Sequence, residues 1–226
     1  MATPFSISRD YKSIQQLATG RIRDAIITGV FKPNEKLNQS ELAKRFDVSR
    51  ISIREALRML EGEGLVQFHP NHGAVVAAVT EGEIRDIYEI RTALEITTAL
   101  RSIERVGPNT VVRMRRALRE MKKTSDPELW VRLNDEFHLV LYQAGERPRL
   151  LSMIATTRNL VAACIRTSVM SQSNRKVFDL QHASILRAVE HHNPVALRKQ
   201  LKNHLAKSCD LIIDSLKRTG VLKAGS

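Results

Sequence analysis

The chain has 226 residues, 42% of them hydrophobic, and carries 36 Lys and Arg against 24 Asp and Glu, a formal net charge of +12. That length suits two domains of unequal size, each able to bury a core. The start MATPFSISRD has neither the charged opening nor the apolar run of a secretion signal, and no stretch reaches the ~20 apolar residues that span a bilayer, so a soluble, cytoplasmic chain without a membrane partner is expected.

In chain order, SIQQLATGRIRDAIITG at 13–29 places Ile14, Leu17, Ile22, Ala25 and Ile26 at helical spacing and stops at Gly29. Pro33-Asn34 then supplies a turn, and Ser40 is the expected N-cap of a short helix with Leu42, Ala43 and Phe46 on its apolar face. Asp47 and Val48 turn the chain, and Ser49 caps a third helix over 50–62 that Gly62 and Gly64 end. The period then changes: LVQF at 65–68 and AVVAAV at 74–79 read as strands around HPNHG, where Pro70, Asn71 and Gly73 carry hairpin chemistry. Three helices and a hairpin make a winged helix-turn-helix over 1–79.

From Thr80 the strand signals end. Thr80 to Glu83 form a capping junction into a helix over 81–105, with a break at Gly107-Pro108-Asn109. Further helices fit 109–123, 126–144, 147–171, 174–192 and 194–218. The expected architecture is mainly α: the winged domain at 1–79, then an antiparallel all-helical bundle over 80–226. Cys164 and Cys209 are far apart in apolar helical contexts without CxxC spacing, and read as reduced core thiols.

Charge does not assign the partner to a segment. Residues 1–79 hold 11 Lys/Arg against 8 Asp/Glu, and residues 80–226 hold 25 against 16, so most of the excess lies outside the winged domain. It favours a polyanion or acidic ligand in general. Local pattern is more specific. On the third helix Arg50, Arg54 and Arg58 form one ridge, opposite Ile53, Ala56, Leu57 and Leu60. Arginine suits DNA because its planar fork pairs with guanine O6 and N7 or clamps a phosphate. The N-terminal end of a recognition helix enters the major groove, which places Ser49, Arg50, Ile51 and Arg54 forward and leaves Arg58 to backbone or solvent. The basic run RMRRALREMKK at 113–123 has a core-facing stripe of Val111, Met114, Leu118 and Met121, so it reads as a solvated outer face.

IITGVFKPNEKLNQSELAKRFDVSRISIREALRMLEGEGLV resembles the N-terminal domain of the GntR family of bacterial transcription regulators. The resemblance implies DNA contacts at Ser49, Arg50, Ile51, Ser52 and Arg54, with His72 and Gly73 in the wing tip. Asn34 stands where the family usually has glycine, and Ser52 where many members have proline. The second is a gain of an N–H and a hydroxyl in the first helical turn.

Of the seven histidines, His138, His182 and His204 fall in helix interiors beside apolar faces. Each taken alone reads as a core imidazole bonded to backbone; three in one core waste hydrogen bonds unless something shared, such as a metal ion, satisfies them. The runs EIRTALE at 89–95, NDEFH at 134–138, His182 with Ile185 and Leu186, and His204 resemble the C-terminal FCD domain of the FadR branch of that family. Together the two resemblances cover about residues 10–215. They imply a divalent metal on Asn134, His138, His182 and His204 at the base of a small-molecule pocket. Zinc is the expected ion for three imidazoles and an oxygen, with nickel and manganese as alternatives. Asn134 replaces the usual aspartate, which leaves Asp135 as a second oxygen candidate. Arg91 matches an arginine that pairs with a carboxylate effector; a salt bridge to Glu95 at helical spacing is the competing reading. AGERPRL departs from the family's A-x-G-N-P-x-L.

The expected function is therefore a homodimeric, non-enzymatic regulator of transcription, read as a repressor, that binds a two-fold-related double-stranded operator under control of a small carboxylate. The alternatives are a sensor for which the metal itself is the signal, and a metallohydrolase, which the sequence disfavours because HExxH and a placed general base are missing.

Overall fold

The computed structural model describes residues 14–70, 73–220 and 222. Two compact units divide between Ala78 and Val79. Among the described residues, no helix is long and apolar enough to cross a membrane.

In the first unit, α1 (Ile14–Ile27), α2 (Gln39–Phe46) and α3 (Arg50–Gly62) precede an antiparallel hairpin of β1 (Val66–His69) and β2 (Gly73–Val76). Ile22, Ile26, Leu42, Ile53, Leu57, Leu60, Val66 and Val76 are its core. The helix predicted to start at Ser40 starts earlier. Asn38 is the N-cap, and its side chain accepts from the backbone N–H of Ser40 and Glu41; a short carbonyl at Asn38 reaches the first free donors better than a hydroxyl already inside the turn. Asn34 takes φ +65°, the left-handed conformation its turn demands. The segment after it also pairs with the hairpin. Leu37 N–H donates to Ala74 O, and Val76 N–H to Glu35 O, so an isolated antiparallel bridge between Lys36 and Val75 ties this segment to the hairpin.

The second unit contains α4 (Glu81–Ser102), which runs on into a 3-10 turn over Ile103–Arg105, then α5 (Pro108–Lys123), α6 (Pro127–Gln143), α7 (Pro148–Ser168), α8 (Gln172–Glu190) and α9 (Pro194–Arg218). A capping box opens α4, with Glu83 N–H on Thr80 Oγ1 and Thr80 N–H on Glu83 Oε2. Proline at the first position opens α5, α6, α7 and α9, where its missing N–H costs nothing and its fixed φ is already helical. The helix α4 packs on α9, α7 and α6; α8 packs on α9 and α5. Met114, Leu118, Trp130, Phe137, Leu141, Val161, Ile185, Leu201 and Ile212 fill the interior. Met114, Leu118 and Met121 are buried on α5 while Arg113, Arg116, Arg119 and Lys122 face solvent, as the stripe requires. Cys164 and Cys209 are free and buried.

Gly145, in the run AGERPRL, is set by close approach. A Cβ there would stand 2.5 Å from Ser102 Oγ, whose hydroxyl bonds Thr98 O and Tyr142 O and ties the end of α4 to the end of α6.

Candidate functional site

Two groups of predicted residues are placed here, one in each unit. On α3, Ser49 is the N-cap and accepts from Ser52 N–H at 3.0 Å, while the two hydroxyls lie 2.8 Å apart. The extra N–H that Ser52 brings is thus spent on the cap, a bond proline would forfeit. Arg50 and Arg54 are exposed, and Ile51 is 64% exposed although apolar. Arg54 touches Glu55 at 3.3 Å. Arg58 is held back by Glu61 at 2.7 Å and by the Phe68 ring, 4.1 Å from its guanidinium carbon. Arg23 grips Glu63 through two bonds of 2.8 and 2.6 Å, which anchors the end of α3 to α1. Gly73 has φ +77° at the start of β2; His72 lies outside the described residues.

In the second unit α6, α8 and α9 bring His138, His182 and His204 together, all buried, with their ligand-capable nitrogens within 4.8 Å of one another. His138 Nε2 and His182 Nε2 are 3.2 Å apart. Two of the outer nitrogens have partners that fix which inner ones are lone pairs. Gln181 Oε1 accepts from His204 Nδ1–H at 3.1 Å. Tyr142 donates to Glu95 Oε2 at 2.7 Å, so its oxygen is left to accept from His138 Nδ1–H at 3.4 Å. Both arrangements turn an Nε2 lone pair inward, which is how outer partners orient histidine ligands. His182 Nδ1 is buried without a partner.

Burial, then Arg158, then the other two imidazoles hold the His138 pKa well below its usual value; burial, then His204 and Arg158, do so at His182, and His204 is lowered to about 3, chiefly by burial. All three are therefore neutral at pH 7, the form that binds metal. Three clustered imidazole nitrogens, two of them 3.2 Å apart, make a donor set that fits a divalent ion. Asn134, one turn before His138, is buried and lines the same cavity as His204. Asp135 is committed elsewhere, its Oδ1 taking two bonds from Arg158 at 2.9 and 2.6 Å.

Arg91 realises its ion pair with Glu95, Nε to Oε1 at 2.7 Å in full burial, and lies over the Tyr88 ring. That pairing uses one edge of the guanidinium; Nη1 remains buried with no partner. Arg158 closes the network with Nη1 on Glu95 Oε2 at 3.2 Å. Burial alone would raise the Glu95 pKa, yet Arg91 and Arg158 bring it down to about 2. Arg91, Trp130, Asn134, Phe178, His204 and Ser208 border one cavity of about 10 Å3, the size of a single water. Tyr88 borders both this cavity and a wider groove of about 490 Å3 between α4 and α9.

Arg158, Tyr142, Gln181 and Trp130 were missed from the sequence. Arg158 carried a signal, since it interrupts the apolar stripe of Ile154, Val161 and Ile165 at helical spacing and is buried with them; the others sit in ordinary helical contexts.

Comparison with known proteins matches residues 14–76 to "Bacterial regulatory proteins, gntR family" and residues 86–207 to "FCD domain". The chain is 28% identical over 195 residues to the uncharacterised HTH-type transcriptional regulator YdhC of Bacillus subtilis (strain 168), covering 84% of this chain and 87% of that one. It is 26% identical to the HTH-type transcriptional repressor RspR of Escherichia coli (strain K12), covering 81% and 82%. Among solved structures, E. coli McbR/YncC superposes with a TM-score of 0.80 at 18% identity, over 90% of this chain and 99% of that one. A GntR regulator from Rhodococcus sp. RHA1 superposes with a TM-score of 0.78 at 23% identity, over 90% and 99%.

Proposed function

The chain belongs to the GntR family of bacterial regulatory proteins, as a DNA-binding transcription regulator with an FCD domain, and on that premise we propose a ligand-controlled repressor. Residues 1–79 bind operator DNA, and residues 80–226 bind the effector and pair two copies. Ser49, Arg50, Ile51, Ser52 and Arg54 contact the major groove, with His72 and Gly73 at the wing. One winged domain reads a half-site, so a homodimer on a two-fold-related operator multiplies the affinity.

The effector is a small carboxylate. One observation carries this: Arg91, whose Nη1 is a buried cationic donor with no partner, lines the cavity that His204 and Asn134 also line, beside three clustered imidazoles. His138, His182, His204 and Asn134 would hold a zinc ion, or nickel or manganese, which supplies positive charge and open positions for carboxylate oxygen. Arg91 orients the acid, and displacement of Tyr88 toward the outer groove admits it. Binding that differs between DNA-competent and incompetent forms shifts their populations. An operator selected from random DNA, followed by a screen of short carboxylates on metal-loaded protein, tests this. Release by a subset of acids is expected; no release and no thermal shift across the library sinks the carboxylate.

The small cavity favours one further reading, in which the ion alone is the signal. Operator affinity would then follow added metal with no organic acid present.

A further inference from the structure

The helix α5 is the most cationic element of the second unit, its 16 residues holding six Lys and Arg against one acid, Glu120. All six cations are exposed. Among the described residues, Glu190 takes Arg115 at 2.5 Å and Glu120 takes Lys123 at 3.4 Å, whereas Arg113, Arg116 and Arg119 have no ion pair. On a helix the neighbours of a residue lie three and four positions away. For Arg119 these are Arg115, Arg116, Lys122 and Lys123, every one a cation. A helix that merely faces water sets opposite charges at those spacings, as α4 does with Glu81 and Arg85 and α6 with Glu128 and Arg132. Lys122 and Lys123, in the last turn, suit the negative end of the helix dipole. Arg113, Arg116 and Arg119 lie too early in the helix for that.

We propose that the exposed face of α5, centred on Arg116 and Arg119, binds the phosphate backbone of duplex DNA as a contact separate from the recognition helix. Like charges left uncompensated repel one another, and a polyanion relieves all of them at once. Arg116, Arg119 and Lys123 follow one ridge about 10 Å long, enough to meet two or three successive phosphates at about 3.4 Å of rise per nucleotide. Guanidinium forks pair bidentately with phosphate oxygens. Net charge points the same way, since residues 80–226 hold +9 of the total of +12. A protein interface or a membrane surface would call for a cluster of aromatic or large apolar side chains, and Val112 is the one large apolar side chain exposed on α5. Phosphate contacts carry no base sequence, so this face adds affinity for any duplex and leaves the choice of operator to α3.

The test uses full-length protein and a duplex of random sequence, with binding followed by fluorescence anisotropy as salt rises from about 50 to about 200 mM. Each phosphate contact contributes about 0.9 to the slope of log affinity against log salt, so Arg116→Gln/Arg119→Gln should lower that slope by about 2. The same variant should weaken a selected operator and the random duplex by equal factors, whereas Arg50→Ala should erode the preference between them. Arg116→Lys/Arg119→Lys keeps both charges and should keep the slope. An unchanged slope in the glutamine variant overturns the inference, as does a loss of affinity confined to the operator. Binding of phosphatidylserine vesicles by the wild-type protein and not by the variant, beside an unchanged slope, would assign the face to a membrane instead. Should the double variant fail to fold, the two single glutamine variants decide, each expected to lower the slope by about 1.

Discussion

Arg91 and Glu95 form an ion pair, Nε to Oε1 at 2.7 Å, inside the helical unit with both side chains at or below 3% exposure. Glu95 also takes Arg158 and the Tyr142 hydroxyl. It is therefore the anion that holds Arg91, while Arg158 also has Asp135, and its removal leaves the buried Arg91 uncompensated. Glu95→Gln should cost about 3–5 kcal/mol of stability, read as a large fall in Tm. Arg91→Met should cost less, because Glu95 keeps Arg158 and Tyr142. Equal losses in the two variants would show that the network is not centred on Glu95.

Metal occupancy follows from the imidazole cluster. Elemental analysis should find about one divalent ion per chain after purification without chelator, and zinc should raise the Tm of chelator-treated protein. His182→Ala should abolish that rise. Asn134→Asp should tighten binding by roughly tenfold or more, since an anionic oxygen replaces a neutral amide at the face shared with His138. An unchanged affinity in Asn134→Asp would place the ion away from that residue.

The metal-free protein should weaken in mild acid. Folded His138, His182 and His204 resist protonation, the last down to about pH 3, whereas the unfolded chain takes up protons near the ordinary value of 6.5. Stability from these groups is thus intact above pH 6.5 and falls as the pH drops from 6.5 toward 3, by at most about 1.4 kcal/mol per histidine per pH unit. Glu95, with its pKa brought down to about 2, keeps its contribution above its ordinary 4.5 and loses it only as the pH falls through 2. Urea unfolding at pH 7.5, 6.0 and 5.0 isolates the histidines, and His204→Gln should flatten the slope.

On the recognition helix, Arg50→Ala and Arg54→Ala should each weaken operator binding by about 1–3 kcal/mol. Arg58→Ala should affect binding less, because its side chain is engaged by Glu61 and Phe68. Ser52→Pro removes the N–H that Ser49 caps and should lower stability by about 1 kcal/mol. Gel shifts on the selected operator and thermal melts measure the two effects separately.

Gly145→Ala should destabilise by about 1–3 kcal/mol through the clash with Ser102. Ser102→Ala in the same chain should recover most of the loss, because the nearest offending atom is the hydroxyl. Additive losses in the double variant would mean the strain lies in the backbone.

Much of the fold was legible because its signals are local. Helical stripes, the capping box at Thr80, the turn at Asn34 and the hairpin residues act over a few positions. The misplaced cap at Ser40 and the overlooked segment at Lys36 and Leu37 mark the limit. The first depends on which of two short polar side chains reaches the free N–H groups, the second on a pairing with residues some forty positions later. Family resemblance supplied the three histidines and Arg91 as a set.

What sequence alone determined is the order of elements, the winged unit followed by helices, and the set of three histidines that the fold gathers. Tertiary structure decided what the charged residues are free to do. Asp135 is spent on Arg158, Arg58 on Glu61 and Phe68, and Arg91 is half spent on Glu95. Among the described residues, Arg91 Nη1, Trp130 Nε1 and Arg166 Nε are buried donors that packing left without an acceptor. Spacing along one helix says which residues share a face, but partners arrive from other helices, and burial then makes each hydrogen bond met or unmet a matter of consequence.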